Sequence, residues 1–97
     1  MDQPEEKVIT LRKPVVLGAG DNAITYEKLT LREPMAGELE KAWGSANTNA
    51  GISITLISLV AGIPRSAVQK IGQRDLKEAS DYLGGFTEDG QETGPTE

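Results

Sequence analysis

Glutamate and aspartate are the side chains of this sequence best suited to acid–base chemistry, because its 97 residues include no histidine and no cysteine. The commonest general base and the thiolate nucleophile are therefore missing. Two carboxylate pairs could be catalytic or metal-binding groups: Glu38 with Glu40, and Asp75 with Glu78. Residues two apart on a helix do not face each other, and basic residues interleave with the second pair. We interpret both pairs as solvated helix faces, and the sequence predicts no enzyme, no metal and no cofactor.

The charge of the chain is concentrated at its two ends. Of the fifteen acids, three lie in residues 1–6 and four in residues 86–97. Residues 7–85 hold the other eight acids and all ten bases, which gives a net charge of +2. A nearly neutral body attracts nucleic acid only weakly. We predict a disordered arm at 1–6, a single α+β domain at 7–86 and a disordered acidic tail at 87–97.

The hydropathy pattern indicates no membrane segment. The longest apolar stretch, residues 51–63, contains three hydroxyl side chains and is too short to cross a bilayer. The first six residues are acidic and polar, unlike a secretory signal peptide. These features, with the lack of cysteine, predict an intracellular protein.

The elements that must position these side chains begin with a β-hairpin. Two runs of β-forming residues, at about 7–17 and 23–31, flank a turn signal rich in glycine and asparagine. A short motif, an apolar residue followed by Thr-Leu-Arg-X-Pro, begins at Ile9 and again at Leu29. Folding the hairpin about Gly20 sets Ile9 opposite Leu31, so that one face of the hairpin is apolar.

Two details of this hairpin depend on its register. Folding the hairpin about Gly20 also sets Leu11 opposite Leu29. Tyr26 is out of phase with Leu29 in a flat strand. Either Tyr26 packs on the other face, or a bulge near residues 27–28 restores the phase.

The second half of the chain has the apolar spacing of short helices. We predict four of them, at about 35–43, 52–61, 64–71 and 75–83. The helix at 52–61 is apolar on most sides, so it should be central or should face a partner. A hairpin followed by three or four helices defines an α+β fold.

A helix-turn-helix is the main alternative interpretation. Residues 57–71 have its pattern, with Gly62 at the turn and Arg65 and Lys70 placed to reach DNA. However, affinity for DNA depends on neutralised phosphates, and residues 62–78 carry only four bases against two acids. A structural corner between two helices is the preferred interpretation, with a small DNA-binding regulator as the competing function.

Several segments, taken in order, resemble one protein family. They are Leu-Arg-Lys-Pro at 11–14, Leu29 to Glu40, Ala-Gly-Ile-Pro at 61–64, Arg-Asp-Leu at 74–76 and Tyr-Leu-Gly-Gly-Phe at 82–86. Together they resemble the small tail assembly chaperones of Mu-like and related contractile-tailed phages, over about residues 8–86. Met35 stands where the family leads us to expect threonine. The residues of these segments to which we assign structural roles are Leu31, Arg32, Pro34, Gly62, Gly84 and Gly85.

The resemblance implies a function. Such a protein would bind the tape-measure protein before the tail tube polymerises, with the tail tube protein as a second candidate partner. It would act in the cytoplasm of the bacterial host, as part of a phage or prophage, and would be absent from the mature virion. Binding a helical client requires an apolar surface. We predict that this surface, which could also support homo-oligomers, consists of Trp43, Ile52, Leu56, Leu59, Val60, Val68 and Ile71.

Overall fold

The computed structural model describes residues 5–86, and these form the predicted α+β fold of a hairpin followed by four helices. The strands are β1 (Glu6–Leu17) and β2 (Ile24–Arg32), joined through a single 3-10 turn at Gly20–Asn22. The helices are α1 (Ala36–Ser45), α2 (Asn49–Ala61), α3 (Arg65–Val68) and α4 (Gln73–Gly84). The predicted tail at 87–97 and the first four residues of the predicted arm lie outside the described residues.

Away from the turn, the register of the hairpin differs from the predicted one by two residues, and next to the turn, where Val15 pairs with Tyr26, it differs by one. Ile9 pairs with Leu29, not with Leu31, and Lys7 takes the place opposite Leu31. Because the shift is an even number, the apolar side chains still share one face. That face is buried: Ile9, Leu11, Val15, Leu29 and Leu31 are each at most 5% exposed.

An irregularity in the middle of β1 causes this difference. The pairing stops at Thr10 opposite Lys28 and resumes at Val15 opposite Tyr26, so that residues 11–14 face a single residue of β2. Pro14 has no N–H to donate and is tolerated in such a bulge. Tyr26 thus pairs with buried Val15 and packs against the core. Of the two predicted arrangements for Tyr26 the bulge is therefore correct, although the extra residues belong to the first strand.

The core lies between the apolar face of the hairpin and the four helices. Ile57, at 0% exposure, is the most deeply buried side chain of α2, which contacts β2 and every other helix. Three other apolar residues of this helix, Ile52, Leu56 and Leu59, are only half-buried. The remaining helical residues of the core are Ala42, Val60, Ala67, Val68, Ala79, Tyr82 and Leu83.

The boundaries of α2 correct one prediction and confirm another. The helix begins at Asn49, not at 52, because the Thr48 side chain caps it by accepting a hydrogen bond from the Gly51 N–H at 3.0 Å. It ends as predicted at Gly62, which has a φ of 73°. There the Gly62 N–H donates to the Ser58 carbonyl at 2.9 Å. Within residues 5–86, no helix has the length and hydropathy needed to span a bilayer.

Candidate partner-binding cleft

An apolar depression of about 170 Å³ lies where α1, α2 and α4 meet. We call it the apolar cleft. Its walls are formed by Leu39, Trp43, Ile52, Ser53, Leu56, Ser80, Leu83 and Gly84. None of these side chains titrates, and their polar groups are the hydroxyls of two serines and the indole N–H of Trp43. The cleft can therefore bind apolar groups, but it offers no acid, base or charged ligand for chemistry.

Helical spacing brings these side chains to one place. Leu39 and Trp43 are four residues apart on α1, and Ile52 and Leu56 are four apart on α2. Side chains at this spacing lie one above the other on the same helix face. The face of α4 that carries Leu83 forms the third wall. The cleft is thus made by three helix faces, each supported by the core beneath it.

Trp43 is the most exposed large side chain of the cleft, at 60%. Its neighbour Ala42 is buried at 1% exposure, so the helix presents Ala42 to the core and Trp43 beside it to solvent. Tryptophan buries a large apolar area on binding and is enriched among the residues that dominate interface energetics. The exposed Trp43 ring is the strongest indication that this cleft has an occupant.

The structure separates the predicted binding residues into three groups. Trp43, Ile52 and Leu56 lie together in the apolar cleft. Leu59 and Ile71 are half-buried and do not line it, and Ile71 packs against the core. Val60 and Val68 are core residues, 7% and 1% exposed. A partner bound to the folded protein would reach the first group most easily.

Two large apolar side chains of the cleft were not among the predicted binding residues. Leu39 precedes Trp43 by four positions, a signal that could have identified it. Leu83 is 3% exposed, so it forms the floor of the cleft. No local pattern shows that a core leucine is also the base of a depression, because this depends on how three helices are arranged.

Arg32 and Glu38 fix the start of α1 to the end of β2. The Arg32 guanidinium donates to both carboxylate oxygens of Glu38, at 2.9 and 2.7 Å. Glu38 also accepts from the Met35 N–H at 2.8 Å and so caps the helix. The interpretation of Glu38 as a solvated residue is wrong, since its side chain is only 20% exposed. Arg32 thereby holds the helix that carries Leu39 and Trp43.

This ion pair changes the pKa of both partners. The hydrogen bonds from Arg32 and from the Met35 backbone lower the pKa of Glu38 from 4.5 to about 2. The same carboxylate raises the pKa of Arg32 above its ordinary value. The pair stays ionised at neutral pH, and it acts as a clamp between a strand and a helix.

Asp75 holds α4 on the hairpin. It lies in the first turn of α4 and is 2% exposed, so its interpretation as a solvated residue is wrong. One carboxylate oxygen accepts from the Arg12 backbone N–H at 2.8 Å, and the other accepts from the Arg12 guanidinium. Arg12 lies in the β1 bulge, where its N–H has no partner on β2. Asp75 satisfies that donor and positions the helix that supplies Leu83.

The corner at Gly62 lacks the properties of a DNA-reading motif. The second helix, α3, has four residues, too few for a recognition helix in a major groove. In the helix-turn-helix interpretation Arg65 would reach DNA, but its Nε donates to the Thr55 hydroxyl of α2 at 2.8 Å. Nothing in this region favours the DNA-binding interpretation.

A small α+β protein with an apolar cleft and no titratable group inside it has the construction of a binding domain. A family profile with the description "phage tail assembly chaperone proteins, E, or 41 or 14" matches residues 8–88. The chain therefore belongs to this family of phage tail assembly chaperones. The resemblance found in the sequence is therefore confirmed. Membership assigns the protein a part in phage tail assembly and implies a role that is not enzymatic. No curated protein and no solved structure matches the chain.

Proposed function

We propose that this tail assembly chaperone binds the tape-measure protein through the apolar cleft and keeps it soluble until the tail tube forms. The observation that carries the proposal is the 60% exposure of Trp43 beside Leu39, Ile52 and Leu56. An exposed apolar patch rimmed by polar residues marks a binding surface in a protein of this size. A client that covers the cleft would remove this patch from water.

The shape of the cleft favours a helical client. Its volume of about 170 Å³ is similar to that of a cavity of roughly 150 Å³ that holds one benzene ring. One large apolar side chain of the client would therefore fill it. An amphipathic helix presents such side chains at a spacing of three and four residues and binds apolar grooves in this way. Long helical proteins expose many such faces before they assemble, which is where a chaperone is needed.

The first test is co-expression with a fragment of the tape-measure protein from the same phage or prophage. The wild type should raise the soluble fraction of the fragment, and Trp43→Ala should lose most of that effect. Because Trp43 is exposed, its truncation should leave the fold intact, which circular dichroism would check.

Ile24→Ala is the matched control, since Ile24 is also exposed, at 54%, but lies on the hairpin away from the cleft. It should keep the activity of the wild type. An equal loss of the solubilising effect in the two variants, or a full effect of Trp43→Ala, would contradict the assignment of the cleft as the client site.

A second copy of the chain is the competing occupant of the same cleft. Sedimentation of the wild type and of Trp43→Ala distinguishes the two cases. A client site predicts that both sediment as the same species without the fragment. Dissociation of an oligomer by Trp43→Ala would instead identify the cleft as a surface for self-association.

We further propose that the protein acts in the host cytoplasm and leaves before the particle is complete. The tail tube protein is the second candidate partner. Mass spectrometry of purified phage particles should detect the tape-measure protein and the tube protein without this chain. Its presence at the stoichiometry of a tail component would contradict the proposed role.

A further inference from the structure

A basic groove runs between β1 and α4, on the other side of α4 from the apolar cleft. It consists of two adjoining depressions of about 570 and 330 Å³, which share Arg12 and Arg74. Half of the ten basic residues of the chain line it, namely Lys7, Arg12, Lys13, Arg74 and Lys77. Such a concentration was not apparent in the sequence, where these residues are up to 70 positions apart.

The groove keeps an excess of positive charge after its internal ion pairs are formed. Its acids are Asp75, Glu78 and Asp81, which leaves a net charge of +2. Asp75 and Glu78 bind Arg12, and Asp81 binds Lys77 at 2.9 Å. Among residues 5–86, Arg74 finds no ion-pair partner. The groove is therefore suited to an acidic segment.

The chain itself supplies such a segment next to the groove. Residues 87–97 contain four acids and no base. They follow Phe86, whose ring contacts Tyr82 edge-on at a centroid distance of 5.1 Å. Tyr82 lines the groove, so Phe86, the last residue that the structure describes, lies next to the basic groove.

The reach of this segment is sufficient to fill the groove. Eleven extended residues span roughly 36 Å, whereas the twelve residues of α4 are about 18 Å long. The covalent connection also gives the segment an effective concentration in the millimolar range. Weak, exposed charge contacts can therefore populate a docked state that free peptides would not reach.

We propose that residues 87–97 dock in the basic groove, running back along α4 so that their carboxylates approach Lys77 and then Arg74. This inference does not depend on the proposed function. It assigns the acidic segment a place on the side of α4 opposite the apolar cleft, which leaves that cleft accessible.

The test uses a spin label on the full chain. Since the chain has no cysteine, Gly94→Cys introduces one site for a nitroxide. The label should broaden the amide signals of Lys7, Arg74 and Lys77 in the NMR spectrum at low salt. The broadening should disappear at 1 M salt, where the Debye length falls to about 3 Å.

Two charge variants check the cause of the broadening. Arg74→Gln with Lys77→Gln should remove it, because both side chains are exposed and can be changed without unfolding the protein. Lys28→Gln with Lys41→Gln is the matched control, with the same change in net charge away from the groove, and should leave it unchanged.

Two results would overturn the proposal. One is broadening that is absent, spread over the whole surface, or equally reduced by the two double variants. The other comes from a mixture of two chains, one isotope-labelled without a nitroxide and one spin-labelled without isotopes. Broadening in the isotope-labelled chain would show that the segment binds a neighbouring copy.

Discussion

The Glu38 carboxylate connects a strand, a turn and a helix at one point. It accepts two hydrogen bonds from Arg32 and one from the Met35 N–H, partners that replace water only in the folded state. Hydrogen bonds to ionised groups are stronger than those between neutral groups. This residue should therefore contribute a measurable, pH-dependent part of the free energy of unfolding.

Glu38→Gln should lower the free energy of unfolding at pH 7 by about 1 kcal/mol, a value reduced by the partial exposure of the pair. The pKa of Glu38 is lower in the folded state, so its stabilising effect is complete above pH 4.5 and is lost as the pH falls towards about 2. The difference between variant and wild type should shrink over that window in urea titrations.

Glu40→Gln provides the control for this titration. Glu40 is exposed on the same helix and undergoes the same chemical change. Its variant should remain near the wild type at every pH. If Glu38→Gln lowers the free energy of unfolding by the same amount at pH 7 and at pH 2.5, the ion pair is not the cause of that loss of stability.

At the scale of single residues, the sequence identified charges but not their partners. Asp75 and Arg12 are 63 positions apart, and only the β1 bulge exposes the Arg12 N–H that Asp75 accepts. A carboxylate in the first turn of a helix is usually solvated, so the local pattern indicated the wrong environment. Such pairings depend on tertiary structure and have no signal of their own.

At the scale of elements, Gly62 determines the direction in which the chain leaves α2 and enters α3. Its φ of 73° lies in the left-handed region, which costs other residues about 1–2 kcal/mol. The Ser58 hydroxyl strengthens the corner by donating to the Ile63 carbonyl at 2.6 Å. The turn thereby places Val68 in the core and returns the chain towards the hairpin.

Gly62→Ala should lower the free energy of unfolding by about 1–2 kcal/mol, although nothing lies within 4 Å of the added methyl group. The cost would come from the backbone conformation alone. Thermal or urea unfolding measures it directly.

Gly44→Ala is the contrasting variant. Gly44 has equally open space but lies within α1 at an ordinary φ, so the substitution should stabilise the protein by roughly 0.5 kcal/mol. If both alanines changed stability in the same direction, the backbone argument for Gly62 would be contradicted.

The elements were largely predictable, and their boundaries less so. Periodicity located both strands and all four helices, because each buries an apolar face. The start of α2 was missed, since Thr48 lies in a polar stretch that is typical of a loop. Away from the turn, the hairpin register was wrong by two residues because the bulge at 11–14 changes the pairing.

At the scale of the whole molecule, α4 separates two surfaces of different chemistry. One side carries Leu83 into the apolar cleft, and the other carries Arg74 and Lys77 into the basic groove. The sequence indicated three residues of the cleft, Trp43, Ile52 and Leu56. It shows a tryptophan near the end of one helix and a second helix that is apolar on most sides. It also proposed Val60 and Val68, which fill the core, because hydrophobic periodicity cannot distinguish a core residue from one beside an open cleft.

The most direct test of the cleft is the fluorescence of Trp43, the only tryptophan of the chain. A tryptophan-free amphipathic fragment of the tape-measure protein should shift its emission to shorter wavelength and saturate, because the ring moves from water into an apolar contact. The same titration of a Leu39→Glu variant, which places a charge in the cleft, should give a much weaker shift. Binding of the fragment, seen by sedimentation, with unchanged Trp43 emission would place the client site elsewhere and contradict the account.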